Sequence, residues 1–507
     1  MSILDTRKKI LLLIAMMGAY AIIFIDESGI AVTLPMMQQA LGLTNNAVHW
    51  IINSYLLTLS VLLLLGGKLS DIYGNKRIFT LGILIFILAS LICGGAQNSW
   101  MMLGGRFLQG IGASLLMPCI MVLIHRGFPD NEFGKAFGLV LTVSNFFYAM
   151  GPFIGGVLTE FLNWRYFFWV NIPIGLVCLY FTLSAIEKDI RTKIKKFDTA
   201  GLISFILSFS ALIIAIMQGA VWGWSNYWII GLFIIAVLGL CLFVKIELAA
   251  EEPLLEIRLF QKKDFLAGNI ILFCSCVCLT SIVFWALWLQ ISIGFSPATV
   301  GLALLPATLT FIFIPTLGGA WRDKSGSRAP LLTGTFLLLF SLCWIVATIN
   351  LQNYFWIVLG LVAFGFALPL AIPNSSIVVM TAVEPEQTGM ASGALSTVRQ
   401  FALTLGIAIL SAITSSYYNF HLAQFLNSST DYKNIPREQV NLLLAGNTKI
   451  SQLTSDKLLL LTQTAKSINT RALFYAMIVI IIFAAIGCAF TYIFIKKSSI
   501  IHKSTRR

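Results

Sequence analysis

Charge is what this sequence lacks most. Asp, Glu, Lys and Arg together make up 11% of its 507 residues, against about 25% in soluble domains. So few polar side chains cannot cover a water-facing surface, which excludes a soluble protein. Histidine is scarce, at four copies, and no His, Cys, Asp or Glu grouping has the spacing of a metal site. Cys274, Cys276 and Cys278 come nearest. On a helix, positions two apart point to opposite sides, so these three do not converge on one tetrahedral ion. The nine cysteines fall mostly inside apolar runs, where they act as small hydrophobes. No Ser/His/Asp set supports an enzyme. Gly66-Gly67-Lys68-Leu69 lacks the upstream Gly and the Ser/Thr of a phosphate-binding loop. With no soluble nucleotide-binding domain either, ATP bound to this chain is excluded as its energy source.

What is present is hydrophobic, at 58% of residues. Apolar runs near the roughly 20 residues that cross a bilayer recur from end to end. Their limits are 10–34, 48–66, 78–97, 101–124, 136–160, 166–186, 199–219, 227–247, 265–290, 298–320, 329–349, 354–380, 393–416 and 471–495. Fourteen spans follow, all helical, because lipid cannot satisfy exposed backbone polar groups. The first run follows Arg7-Lys8-Lys9 as in a signal peptide, but Asp26-Glu27 replaces a small-residue cleavage site, so the span is expected to stay.

The net charge of +13 reflects topology rather than a nucleic-acid surface. Basic residues follow spans 2, 4, 6, 8 and 10 and close the tail. The alternate short loops, 35–47, 220–226, 291–297 and 350–353, contain no Lys or Arg. The positive-inside rule then places both termini and the basic loops in the cytoplasm. Trp100, Trp164, Trp169, Trp222, Trp224 and Trp228 fall at the opposite ends, where interfacial aromatics are expected.

A charged hairpin, Gly66-Gly67-Lys68-Leu69-Ser70-Asp71-Ile72-Tyr73-Gly74-Asn75-Lys76-Arg77, joins spans 2 and 3. A weaker copy, Gly318 to Arg328, follows span 10. Both have a Gly, an Asp four residues on and a Gly three further. Pro129 to Ala136 and Pro385 to Ala391 repeat in the same way before spans 5 and 13. Two related halves emerge, spans 1–6 and 9–14, with spans 7–8 as an insert. The expected segments are a six-helix bundle over 1–190, two inserted helices over 191–264 and a second bundle over 265–507. Such repeats are common in secondary transporters, with the substrate site between them. The polar stretch Tyr417 to Asn469 is expected to lie outside as a loop of about 50 residues, long for a connection. Ile435 to Leu460 within it is expected to form short surface helices.

Charged groups inside spans are costly and mark function. Asp26 and Glu27 lie about 24 Å along span 1 from Ile10. Span 4 runs the other way and brings Arg106 to a similar depth. Burial raises a carboxyl pKa and a nearby arginine lowers it, so a group poised between them can exchange a proton. Adjacent helix positions diverge by about 100°, so one of the two acids is expected to face the cavity. A static ion pair that orients span 1 is the alternative. In span 5, Gly151-Pro152-Phe153-Ile154-Gly155-Gly156 combines a helix kink with close helix approach. Gln109, Asn269, Trp285, Trp288, Gln290 and Asn374 are candidate lining for an amphipathic or aromatic ligand.

These motifs carry a family resemblance. Gly67 to Arg77 resembles the signature loop of the major facilitator superfamily. Arg106-Phe107-Leu108-Gln109-Gly110-Ile111-Gly112-Ala113 resembles the span 4 motif of its proton antiporters, and Gly138 with the span 5 Gly-Pro stretch resembles the drug-antiporter motif. Phe24 to Pro35 resembles the span 1 motif of the fourteen-span drug:proton antiporters, the EmrB/QacA-like group. The antiporter motif expects a Gly where Phe147 stands. The resemblance implies an all-α polytopic fold of two six-helix bundles plus two extra helices. It implies a bacterial inner-membrane exporter of lipophilic compounds, driven by the proton gradient without a cofactor. Asp26, with Glu27 beside it, would be the proton-linked acid and Arg106 its partner. Gly67, Asp71, Gly74, Lys76, Arg77 and Arg126 would form the cytoplasmic gate, with Asp71 latched near Arg126 and the start of span 13. In two-membrane bacteria, a periplasmic adaptor and an outer-membrane channel would be partners. The alternatives are an exporter or importer dedicated to one endogenous metabolite, such as a siderophore, and a non-transporting membrane sensor or scaffold.

Overall fold

A computed structural model describes residues 5–186, 198–250, 253–384, 388–428, 432, 435–436, 439–440 and 455–495. Among these the chain is helical, with no strand. Fourteen helices are long and apolar enough to cross a membrane. They are α1 (Thr6–Leu41), α2 (Asn46–Tyr73), α3 (Asn75–Gly94), α4 (Ser99–Gly127), α5 (Ala136–Leu162), α6 (Trp164–Ala185), α7 (Thr199–Trp222) and α8 (Tyr227–Ala249). The series continues with α9 (Lys263–Ile293), α10 (Pro297–Arg322), α11 (Arg328–Leu351), α12 (Tyr354–Thr381), α13 (Ala391–Asn427) and α14 (Asp456–Phe494).

Six of the seven even-numbered helices share a start signal. Thr44, Asn98, Asn163, Asn226, Ser296 and Asn353 each accept a backbone N–H two or three residues on, opening α2, α4, α6, α8, α10 and α12. A short polar side chain there satisfies one of the orphan donors of a helix N-terminus. These starts lie on the side without Lys or Arg loops, so the caps are neutral.

Contacts divide the chain into two compact units. The first comprises 1–254, 282–305 and 407–476; the second comprises 255–281, 306–406 and 477–507. The units therefore do not follow the segment limits at 190 and 264. The inserted helices α7 and α8 pack on each other, and α7 also packs on α2, within the first unit. In that unit α1 packs on α5 and α6, while α4 packs on α2 and α3. In the second, α12 packs on α11, on α10 and on the first part of α9.

Two expectations need correction. The loop expected over Tyr417 to Asn469 is shorter than its polarity suggested, because α13 continues to Asn427 and α14 begins at Asp456. At 1.5 Å per residue these helices reach roughly 55 Å, well beyond a bilayer core of about 30 Å. Their extensions share a small core in which Tyr418, Leu422, Leu426, Leu461 and Ile468 bury together with Tyr432 and Ile435. That core holds the extensions helical despite their polar faces. Most of the region expected to form short surface helices, 437–438 and 441–454, lies outside the described residues. The second correction concerns the tryptophans. Trp100, Trp222, Trp224 and Trp228 are exposed, as a membrane interface requires. Trp164 is buried and Trp169 lies against Gly94, so these two pack helices instead.

Candidate functional site: a buried ion pair in the first unit

Small residues build this site, because helices in lipid associate through close packing rather than through a hydrophobic drive. On α4, Gly105 and Gly110 flank Arg106. A methyl group on Gly105 would sit 2.5 Å from the Cys93 sulfur of α3, and one on Gly110 would sit 2.7 Å from the Tyr55 carbonyl of α2. The missing side chains let α4 touch both neighbours at the level of Arg106. On α1, a methyl at Gly29 would lie 2.5 Å from the Gly151 carbonyl, and one at Gly155 would lie 2.6 Å from the Gly29 carbonyl. The α1–α5 crossing therefore lies one helical turn after Asp26.

Among the described residues Arg106 is the largest side chain with no solvent exposure, and Asp26 is equally buried. The two form a salt bridge. The guanidinium also donates from Nε to the Ile51 carbonyl at 2.9 Å and from Nη1 to Gln109 Oε1 at 2.8 Å. Gln109 Nε2 donates to Ser90 Oγ at 2.9 Å and to Asp26 Oδ1 at 3.5 Å. The Cys93 thiol lies 3.6 Å from Gln109 Oε1. The Tyr55 ring sits 4.4 Å from the Arg106 carbon centre, a cation–π distance. Helices α1 to α4 thus each supply part of one polar cluster. Taking an ion from water into such a core costs several kcal/mol, and only good geometry with further hydrogen bonds offsets it. Glu27 is also buried, and both acids act electrostatically on Tyr55.

The sequence placed Asp26 and Arg106 at one depth, and the structure joins them. Gln109 was expected in a substrate wall; it lies instead inside the charge cluster. Ser90 and Cys93 carry no motif of their own, so only their neighbourhood identifies them. The remaining lining candidates divide between the two units. Trp285 is buried, Gln290 donates to the Val32 carbonyl of α1 at 3.0 Å, and Trp288 donates to Thr470 at 3.0 Å. Trp288 also lines a cavity of about 80 Å³ with Gln38, His49, Phe284, Tyr418 and Asn469. Pockets that hold drug-sized ligands are larger, about 300–1,000 Å³. Asn269 and Asn374 belong to the second unit and donate to their own helices, at 2.9 and 2.8 Å.

In the antiporter motif, Gly151 and Gly155 meet α1, whereas Gly156 packs on Pro297 and Ala298. Gly301 of α10 packs on Pro152 and Phe153. Gly138 faces open space. In the charged hairpin, Gly74 has φ +100°, a conformation that glycine alone adopts readily, and Gly326 of the second copy has φ +78°. The echo is therefore conformational as well as textual. Gly67 approaches Pro118 of α4. Lys68 and Arg126 are the basic groups acting on Asp71. Lys76 donates to the Ile186 and Leu183 carbonyls and so caps the end of α6. Arg77 is exposed. Lys9 and Glu132 pair at 2.6 Å at the same end of the helices.

Comparison with known proteins agrees with this architecture. The family model described as Major Facilitator Superfamily matches residues 16–407. The multidrug resistance protein Stp of Mycobacterium tuberculosis (strain CDC 1551 / Oshkosh) is 29% identical over 430 residues, covering 83% of this chain and 78% of that protein. The tetracenomycin C resistance and export protein of Streptomyces glaucescens is 29% identical over 408 residues, covering 80% and 76%. The multidrug transporter protein MdtP of Bacillus subtilis (strain 168) is 27% identical over 412 residues, covering 81% and 76%. Among solved structures, an inward-facing, unoccupied bacterial homologue of the human lysosomal transporter Spinster aligns with a TM-score of 0.67. That alignment covers 98% of this chain and 99% of the homologue at 15% identity, a likeness of fold.

Proposed function

The chain belongs to the Major Facilitator Superfamily, and from that premise we propose that it is a proton-coupled secondary transporter exporting lipophilic or amphipathic compounds. The observation that carries this reading is the fully buried Asp26–Arg106 pair, held by Gln109 and the Ile51 carbonyl. Relatives named for multidrug resistance and for drug export support the direction and the substrate class.

In this reading Asp26 is the proton-carrying group. Ionised, it accepts from Arg106 and ties α1 to α4. Protonated, it loses the charge attraction, while Arg106 keeps its bonds to Gln109 and the Ile51 carbonyl. The arginine is thus retained while α1 is released. A proton entering down a potential of 100 mV supplies about 2.3 kcal/mol, enough for roughly a 40-fold substrate gradient per proton at 1.4 kcal/mol per tenfold. No bound cofactor takes part. The basic loops and both termini face the cytoplasm of a bacterial inner membrane, and Asp71 with Lys68 and Arg126 serves as a gate there. The extended α13 and α14 then project outward, where a periplasmic adaptor leading to an outer-membrane channel would meet them.

Efflux of a fluorescent lipophilic dye from energised cells tests the reading. Asp26→Asn should bring export to background, and Glu27→Gln should leave proton dependence intact. Export that survives both Asp26→Asn and a collapsed proton gradient would refute it.

A further inference from the structure

The second unit carries a groove outside the charge cluster. It lies between α11 and α14 and has a volume of about 650 Å³. Ala485, Cys488 and Ala489 are its small residues on α14, opposite Thr333 on α11. Phe336 and Tyr492 also line it and are 62% and 68% exposed. No charged residue lines the groove. At its end, Arg328 donates to the Tyr492 carbonyl at 3.3 Å and lies over the Tyr492 ring at 5.9 Å.

We propose that this groove binds one acyl chain of an anionic phospholipid whose phosphate is held by Arg328. Three observations fix the occupant. The first is length. From Arg328 to Leu339, the farthest α11 residue of the groove, the helix rises roughly 16 Å, which is half of a hydrocarbon core of about 30 Å. The groove is one leaflet deep and ends where a headgroup sits. The second is charge. A guanidinium has five N–H donors in a planar fork suited to phosphate, and it stands at the mouth of a lining that is otherwise uncharged. The third is shape. The alanines opposite bulky, exposed rings leave a trough for a flexible chain; a packed partner helix would instead need small residues on both faces.

The test uses the full-length protein in detergent, with phosphatidylglycerol or phosphatidylcholine added. Native mass spectrometry reads the retained lipid, and N-ethylmaleimide labelling of Cys488 reads its place. Cys488 is half-buried, and the two exposed cysteines, Cys241 and Cys343, are replaced by serine. Phosphatidylglycerol should be retained in preference to phosphatidylcholine and should slow Cys488 labelling. Arg328→Gln should lower phosphatidylglycerol retention about fivefold, the loss expected for one cation at a membrane surface, and abolish the preference. Ala489→Phe fills the trough while keeping Arg328, and it should lower retention of both lipids. Equal retention of the two lipids by the unmodified protein would overturn the proposal. So would protection of Cys488 by inorganic phosphate alone, or a Cys488–Cys488 disulfide between copies that forms regardless of lipid. Lipid retention unchanged in both variants would overturn it as well.

Discussion

Removing both members of the buried pair should cost no more stability than removing the costlier one alone. Asp26 and Arg106 have no solvent exposure, so neither charge can turn to water when its partner is lost. Breaking such a pair from one side costs about 3–5 kcal/mol. Asp26→Asn leaves the Arg106 charge with only the neutral oxygens of Gln109 and Ile51. Arg106→Gln leaves the Asp26 carboxylate with Gln109 Nε2 at 3.5 Å. If the two effects were independent, the double variant would lose about 6–10 kcal/mol. Because each effect is the cost of leaving the other group unpaired, the double variant should lose no more than the worse single one. The coupling energy should then be at least the smaller single loss, about 3 kcal/mol or more, at the upper end for directly interacting residues. Denaturation of the purified protein in detergent measures this cycle. Substrate-driven proton uptake in proteoliposomes should be absent from all three variants: Asp26→Asn and the double variant lack the titrating group, and Arg106→Gln lacks the partner whose tie to α1 the proton would break. Additive losses in stability would show that the pair does not act as a unit. Proton uptake in Asp26→Asn would show that another group carries the proton.

Two further perturbations separate parts of the motifs. Gly151→Ala drives a methyl into Ser28 and the α1 backbone, at an overpacking cost of about 1–3 kcal/mol, and should lower both melting temperature and export. Gly138→Ala meets nothing within 4 Å and should be neutral; equal damage from the two would refute the packing argument. Asp71→Asn removes an attraction to Lys68 and Arg126 worth about 0.2–1 kcal/mol at a half-exposed site. It should change the rate of switching between states by about two- to fivefold, read by site-specific fluorescence, and leave substrate affinity alone. A tenfold loss of affinity with normal switching would show that the hairpin contacts substrate.

Span count and family were legible because lipid leaves few options: long apolar runs, charge at alternate ends and positive φ at glycine leave marks on sequence directly. The meeting of Asp26 with Arg106 was legible too, since two opposite charges at one depth in an apolar medium have strong reason to pair. The partners of Gln109 were not legible, because an amide in a span says only that a partner exists, and three helices decide which. Ser90 and Cys93 look like ordinary small span residues until α3 is placed against α4. The outer helices were cut short by hydropathy, which marks where lipid ends. A polar helix continues beyond that point when its other face has a core, as Leu422, Leu461 and Ile468 provide. Trp164 and Trp169 were read as interfacial from position alone, although Gly94 opposite Trp169 was the sign of an internal contact.

The arrangement also indicates which joint yields when the proton arrives. Helix α1 has two close attachments at this level. One is the polar tie from Asp26 to Arg106 and Gln109 on α4; the other is the glycine crossing with α5 at Gly29, Gly151 and Gly155. The first depends on ionisation of Asp26. The second is backbone against backbone and has no titratable group, so no proton weakens it. In the proposed cycle Arg106 keeps its bond to the Ile51 carbonyl of α2 when Asp26 is protonated. Protonation should therefore free α1 and α5 as one body against α2 and α4. A distance probe between α1 and α4 should respond to pH, while one between α1 and α5 should not.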